Sequence, residues 1–369
     1  MTTGDTAGRA IRCAAVIGAG NGGKAAAADL ALQGVQVRLF EWPEYLSNVE
    51  ALPGEPVIEA EGVVRGRAAL ESVTTNLAEA VEGAELVVVC LQGPAHARLA
   101  TELAPLLRDG MTVLLNPGST GGALEFRRIF GEVGARAPVT LCETGTLVHC
   151  ARATGERGVH IGLRVRHVAF AALPAAATAE AAAALTPLFP GLKPRADVLE
   201  VALCNGNPVI HPAIFLANLA VIERRGEGHR FYAEGVTPAV ARVIEAVDRE
   251  RMALGAALGY ELLNEPQMCV AQGYSQSTDY YDCYARSEVF SALSSPPGVQ
   301  HRYLHEDVGL GLVTYVGLGE ALGVATPVAR GLVALASTVT GYDYLGQARR
   351  SPERLGLTGP PQGWRALLD

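Results

Sequence analysis

The stretch Ala14-Ala15-Val16-Ile17-Gly18-Ala19-Gly20-Asn21-Gly22-Gly23 decides the fold. Four apolar residues ending in Val16 and Ile17 suit a strand buried on both faces. The run that follows, Lys24–Leu32, is rich in Ala and Leu and is stopped by Gly34, the pattern of a helix. Between the two, each glycine of the Gly-x-Gly-x-x-Gly element has its own task. Gly18 permits the tight turn, Gly20 lets a pyrophosphate approach the backbone, and Gly23 lets helix and strand pack closely. Asn21 and Gly22 lead into the helix, whose free N–H groups and positive dipole end attract phosphate. With a strand before it and a helix after it, the element predicts a dinucleotide site in a Rossmann-type domain.

Working outward, Leu39-Phe40-Glu41 ends a second apolar run and places a carboxylate eighteen residues beyond Gly23. At that spacing an acidic side chain accepts hydrogen bonds from an adenosine ribose. A carboxylate there repels a 2′-phosphate and Trp42 supplies no cation, so NAD is expected rather than NADP; Arg38 argues the other way. Strands are predicted at Arg12–Ile17, Val35–Phe40, Leu86–Cys90, Thr112–Leu115 and Val139–Cys142, alternating with Ala/Leu-rich helices as in a parallel sheet. Val159–Val165 and His167–Leu173 read as strands that finish the domain. Ligands of such sheets sit at the carboxyl ends of the strands. There lie Leu91-Gln92-Gly93-Pro94-Ala95-His96 and Asn116-Pro117-Gly118-Ser119-Thr120-Gly121-Gly122, of which Gln92, Pro117 and Gly118 are candidate cofactor contacts.

Ala175–Leu185 predicts a helix, after which Pro187, Pro190 and Pro194 interrupt the chain. The domain boundary is placed there, with residues 1–186 as the Rossmann domain and residues 187–369 as a substrate domain. In Pro238–Leu258, Val240, Val243, Ile244 and Val247 share one face and Arg242, Glu245 and Arg249 the opposite one. The expected fold class is α/β: a Rossmann-type parallel-sheet domain followed by a mainly α-helical C-terminal domain.

Composition narrows the partners. A net charge of −8 with scattered basic residues offers no surface for nucleic acid or anionic membrane. No apolar run reaches the roughly 18 residues that cross a bilayer, and the opening MTTGDTAGRA lacks the apolar core of a signal peptide. A cytoplasmic location is expected. The cysteines Cys13, Cys90, Cys142, Cys150, Cys204, Cys269 and Cys283 form neither a CxxC pair nor a zinc-ligand spacing; reduced thiols and no metal are expected.

The helical half carries two dense polar segments, Cys204-Asn205-Gly206-Asn207-Pro208-Val209-Ile210-His211-Pro212 and His301-Arg302-Tyr303-Leu304-His305-Glu306-Asp307-Val308-Gly309. Together with the Rossmann start and with Glu143-Thr144 followed by Arg152, their Asn-Pro-x-x-His-Pro and Arg-Tyr-Leu-x-Glu-Asp elements resemble the octopine/nopaline (opine) dehydrogenase family over nearly the whole chain. The resemblance implies an NAD-dependent oxidoreductase acting on CH–NH donors. Such an enzyme condenses an α-keto acid with the amino group of an amino acid to a secondary-amine dicarboxylate, and runs the reverse oxidation. It implies His211 as the acid/base, Asp307 as its carboxylate partner and Arg302 as the holder of a substrate carboxylate. Asn207 and Thr144 would contact substrate, and Tyr281, in the cluster Tyr280-Tyr281-Asp282-Cys283-Tyr284, suits a pocket wall with a polar tip.

Arg302 and Asp307 are five apart and would not share a helix face, so a loop leading into a helix is expected there. Gly309 stands where the family commonly has proline, and Val148-His149 where it more often has Pro-Tyr. The apolar faces of the helical half, Leu310–Leu335 above all, suit a homodimer. Two other readings stay open: a β-hydroxyacid or ketopantoate-type reductase, and a dinucleotide-binding protein without turnover. Reductases of the first type rely on a lysine in the second domain, whereas Lys193 is the last lysine of this chain. A lone histidine between Ile210 and Pro212 also suits a structural role.

Overall fold

The computed structural model describes residues 10–52 and 54–369. Residues 1–9, most of the opening stretch examined for a signal peptide, lie outside that range. Among the described residues there are twelve strands: β1 (Cys13–Ile17), β2 (Gln36–Phe40), β3 (Val57–Gly62), β4 (Gly66–Ala69), β5 (Ser72–Thr74), β6 (Leu86–Val89), β7 (Thr112–Leu115), β8 (Thr140–Thr144), β9 (His149–Thr154), β10 (Gly158–Arg164), β11 (Val168–Leu173) and β12 (Leu192–Pro194).

Eight of them form one sheet in the order β12-β11-β8-β7-β6-β1-β2-β5. All neighbours are parallel except β11, which runs antiparallel to β8. The near-continuous apolar strands are explained by helices on both faces, which leave β6 and β11 buried along their whole length. Strand order reverses at β1, with β2 on one side and β6 on the other. Ile17 lies level with Phe40 and with Val89, and Val89 with Leu115. The loops beginning at Gly18, Glu41, Cys90 and Asn116 therefore converge on one edge, at the switch point where such sheets bind ligands.

The remaining four strands form a second sheet, β4-β3-β10-β9, laid against the helix Asn21–Leu32. Val159–Val165, expected to finish the main sheet, is β10 of this smaller one. The burial pattern gives the reason: β10 alternates between buried and exposed, whereas β11 is buried throughout. Asp29 of the helix ties the smaller sheet down, pairing with His149 Nε2 at 2.7 Å and with Arg164 Nε at 3.0 Å.

The helix over Pro238–Leu258 has the bounds its periodicity predicts. Beyond residue 186 the main sheet gains β12, after which the chain is almost wholly helical. A single apolar cluster runs from Leu115 and Phe126 at the sheet to Val209, Ile244 and Leu312 in the helical half. The two halves thus share a packed core. All seven cysteines are unpaired.

Candidate active site

The glycine turn has the shape its residues require. Gly18 takes φ 96°, where an L side chain is strained. A Cβ on Gly23 would stand 1.7 Å from the Gly18 carbonyl oxygen, so helix and strand touch as closely as expected. At Gly20 a Cβ would meet nothing within 4 Å, which leaves room beside the turn for a pyrophosphate. The helix begins at Asn21, three residues before its sequence-predicted start, and no side chain caps it. The Asn21 side-chain oxygen accepts from the Ala153 N–H at 2.8 Å, which fixes the side chain beside the turn and leaves its amide nitrogen and its backbone N–H as donors toward phosphate. A Cβ on Gly22 would press on Leu147. These residues fit a dinucleotide.

Glu41 is 3% exposed and already engaged. Oε2 accepts from Ala19 N–H at 2.9 Å and from Asn48 Nδ2 at 2.9 Å, and Oε1 accepts from Trp42 N–H at 3.0 Å. A carboxylate has about four acceptor positions, so Glu41 braces the turn and keeps about one for a ribose. Of the two loops, Gln92 is exposed, Pro117 half-buried and Gly118 buried over the Glu143 carboxyl.

In the helical half, His211 and Asp307 come together. His211 lies on the helix Asn207–Ala217, which Pro208 opens, since a missing N–H costs nothing in a first turn. His211 Nδ1 lies 2.7 Å from Asp307 Oδ2, both side chains at most 5% exposed. The segment expected as a loop leading into a helix does lead into one, but it is itself helical: a short helix, Arg302–His305, is followed by a π-helical stretch, Asp307–Leu312. Asp307, the first residue of the π-helical stretch, lies against the ring, and Arg302 opens the short helix just before it. Nε2 is 2.9 Å from the Tyr232 hydroxyl. Tyr303 stacks on the imidazole with centroids 3.9 Å apart.

An ionised Asp307 accepts Nδ1–H, which leaves Nε2 as the acceptor for the Tyr232 O–H; the tautomer is assigned from these partners. Burial, with the Arg302 charge adding to it, pushes the His211 pKa well below 6.5. Burial pushes Asp307 up to about 7, and Arg302 only partly opposes this. Both shifts act against charge on the buried pair, so burial favours a neutral imidazole and resists ionisation of the carboxyl. Burial also raises Tyr232 well above 10, so it stays protonated.

Other expected contacts are not brought to His211. Asn207 opens the helix, with its N–H on Asn205 Oδ1 at 3.1 Å. The Thr144 hydroxyl reaches the Leu115 carbonyl at 3.3 Å and so serves the turn beside Gly118. Tyr281 faces Arg286 of its own helix at 5.6 Å, while Tyr284 joins the ring cluster by stacking near Tyr232 at 6.4 Å. Tyr232 and Tyr303 were missed as site residues: Phe231-Tyr232 sits in a turn between helices, and no local pattern marks it. Among the described residues no group of three or more His, Cys, Asp or Glu side chains is placed to hold a metal.

The family model for the α-helical domain of NAD/NADP octopine/nopaline dehydrogenases matches residues 194–340. An opine dehydrogenase of Arthrobacter sp. (strain 1C) is 34% identical over 349 residues, covering 94% of this chain and 95% of that protein. The chain belongs to the octopine/nopaline (opine) dehydrogenase family. A member of it, this protein is an NAD-dependent oxidoreductase, as the resemblance of its motifs implied. Vitopine synthase of Allorhizobium ampelinum is 27% identical over 94% of this chain and 95% of its own length. The solved structure of an octopine dehydrogenase in complex with NADH and agmatine has the same fold, with a TM-score of 0.78 at 21% identity over 95% of this chain and 97% of that one. No described helix is long and apolar enough to cross a membrane.

Proposed function

We propose that the protein condenses an α-keto acid with the amino group of an amino acid and reduces the resulting imine to a secondary-amine dicarboxylate. One observation carries this reading: a buried imidazole with a carboxylate on Nδ1 and a hydroxyl on Nε2, within the field of the Arg302 guanidinium. Bound NADH supplies the hydride. The chain's own residues orient the partners and handle protons.

His211, held neutral, takes a proton from the incoming ammonium group and so makes the amine nucleophilic. Asp307 stabilises the imidazolium that forms, as the carboxylate of a histidine dyad does. The Tyr232 oxygen can accept a proton from substrate as its own passes to Nε2, so that no tyrosinate forms. The same proton, returned, helps expel water from the carbinolamine. Arg302, one-third exposed and 3.9 Å from Glu306, has a planar fork that matches a substrate carboxylate.

NAD is favoured over NADP because the Arg38 guanidinium is spent on Glu71 at 3.1 Å and on the Glu82 carbonyl, away from any 2′-phosphate. The helix Pro327–Thr340 exposes Leu335 at 46%, and a homodimer through this face belongs to the same reading.

The decisive assay compares NADH oxidation with a keto acid alone and with the same keto acid plus an amino acid, across pyruvate, oxaloacetate and 2-oxoglutarate. The reading expects oxidation only when both are present. Equal rates without the amine would favour a hydroxyacid-type reductase instead.

A further inference from the structure

After the helix Pro327–Thr340 the chain returns to the sheet and delivers two consecutive arginines to it. Arg350 is fully buried. Its Nη1 donates to three successive carbonyls: Gly118 at 3.0 Å, Ser119, and Thr120 at 3.0 Å. Its Nε and Nη2 reach the buried Glu125 carboxylate at 3.2 and 2.9 Å. Arg349 shares that carboxylate and donates to the carbonyls of Gly93 and Pro94 at 3.3 and 3.0 Å.

The two loops held in this way follow β6 and β7. Strand order gives their place along a cofactor. Glu41 and the adenosine end lie beside β2, so the nicotinamide end extends across β1 toward β6 and β7. The second loop is also strained: Ser119 and the β-branched Thr120 take φ 52° and 68°, a region such residues rarely enter. Such a conformation persists only where its surroundings over-determine it. Here they do: besides Arg350, Asn205 donates to Thr120 Oγ1 at 2.9 Å, and Glu306, the neighbour of Asp307, accepts from Ser119 Oγ at 2.7 Å.

We propose that Arg350, assisted by Arg349, is a positioning residue for the nicotinamide half of the cofactor, so that a segment remote in sequence from the glycine turn controls cofactor affinity. The proposal rests on the reading that these two loops border the cofactor. A guanidinium suits the task because it can serve several carbonyls and a carboxylate at once, which an ammonium cannot do in the same plane.

The test compares binding of NADH with that of ADP-ribose, which lacks the nicotinamide. The variants are Arg350→Lys, the neutral pair Glu125→Gln/Arg350→Gln, and Arg349→Lys, whose side chain is partly exposed and whose change spares the buried charge pair. Calorimetry on the purified full chain gives both dissociation constants, and a melting curve establishes that each variant is folded. The expected result for the two Arg350 variants is at least tenfold weaker NADH binding with ADP-ribose unchanged within twofold. Arg349→Lys is expected to weaken NADH about threefold. Equal losses for both ligands would mean a general scaffold role and overturn the proposal, as would NADH affinity within twofold of the parent in folded variants. If ADP-ribose fails to compete with NADH on the parent protein, the cofactor placement beneath the proposal falls.

Discussion

Replacing Asp307 by Asn keeps the shape beside His211 but removes the charge. In the parent protein, the 2.7 Å contact joins two side chains at most 5% exposed, so little water screens it. A hydrogen bond to a charged group contributes about 1.5–3 kcal/mol. At about 1.4 kcal/mol per tenfold in rate, losing it from a transition state that carries an imidazolium lowers kcat about 10- to 150-fold. The pH profile supplies a second signature. Burial raises Asp307 to about 7, so the parent loses this anion as the pH falls through about 7, and its activity declines on that side. Asparagine cannot titrate, so this acid limb disappears in the variant. The assay is steady-state NADH oxidation with saturating keto acid and amino acid, from mildly acidic to mildly alkaline pH. A variant within threefold of the parent that keeps the acid limb would refute the dyad.

Three further outcomes are expected. His211→Ala lowers turnover by roughly 10²–10⁴ while NADH affinity, read by titration, stays within twofold. Tyr232→Phe removes the hydroxyl that passes the proton to Nε2 and lowers kcat by at least the roughly three- to tenfold that a neutral hydrogen bond is worth; an unchanged kcat would show that the hydroxyl relays no proton and only fills space. In Asp29, burial is outweighed by the hydrogen bonds from His149 and Arg164, and the pKa falls from 3.8 to about 2. A depressed folded-state pKa stabilises above the unfolded value, and that contribution fades as the pH drops from about 4 to about 2. Asp29→Asn should therefore cost about 2 kcal/mol at neutral pH, measured by urea unfolding, with the gap to the parent narrowing over that acid window.

Much of the fold was legible because its signals are local. Ala14–Gly23 specifies strand, turn and helix within ten residues, and the four strands whose loops meet at the cofactor edge announce themselves as short apolar runs. The face of Pro238–Leu258 repeats at helical spacing, and its bounds follow. The smaller sheet was not legible as a separate sheet. Its strands are half-exposed, and whether β10 pairs with β3 or joins the main sheet is settled by which surface of the Asn21–Leu32 helix needs cover.

For the candidate site, the sequence by itself determined the residue types: a glycine turn, a histidine after Asn-Pro, and an Arg and an Asp in one short segment. It could not determine their geometry. His211 and Asp307 are 96 residues apart, and their contact depends on a π-helical turn whose hydrogen bonds answer to the packing around it. Tyr232 and Arg350 lie in stretches without a motif, because a hydroxyl facing an imidazole and a guanidinium facing three carbonyls need no particular neighbours in sequence. Local chemistry is written in local spacing; contacts between distant segments exist only once burial has brought them together.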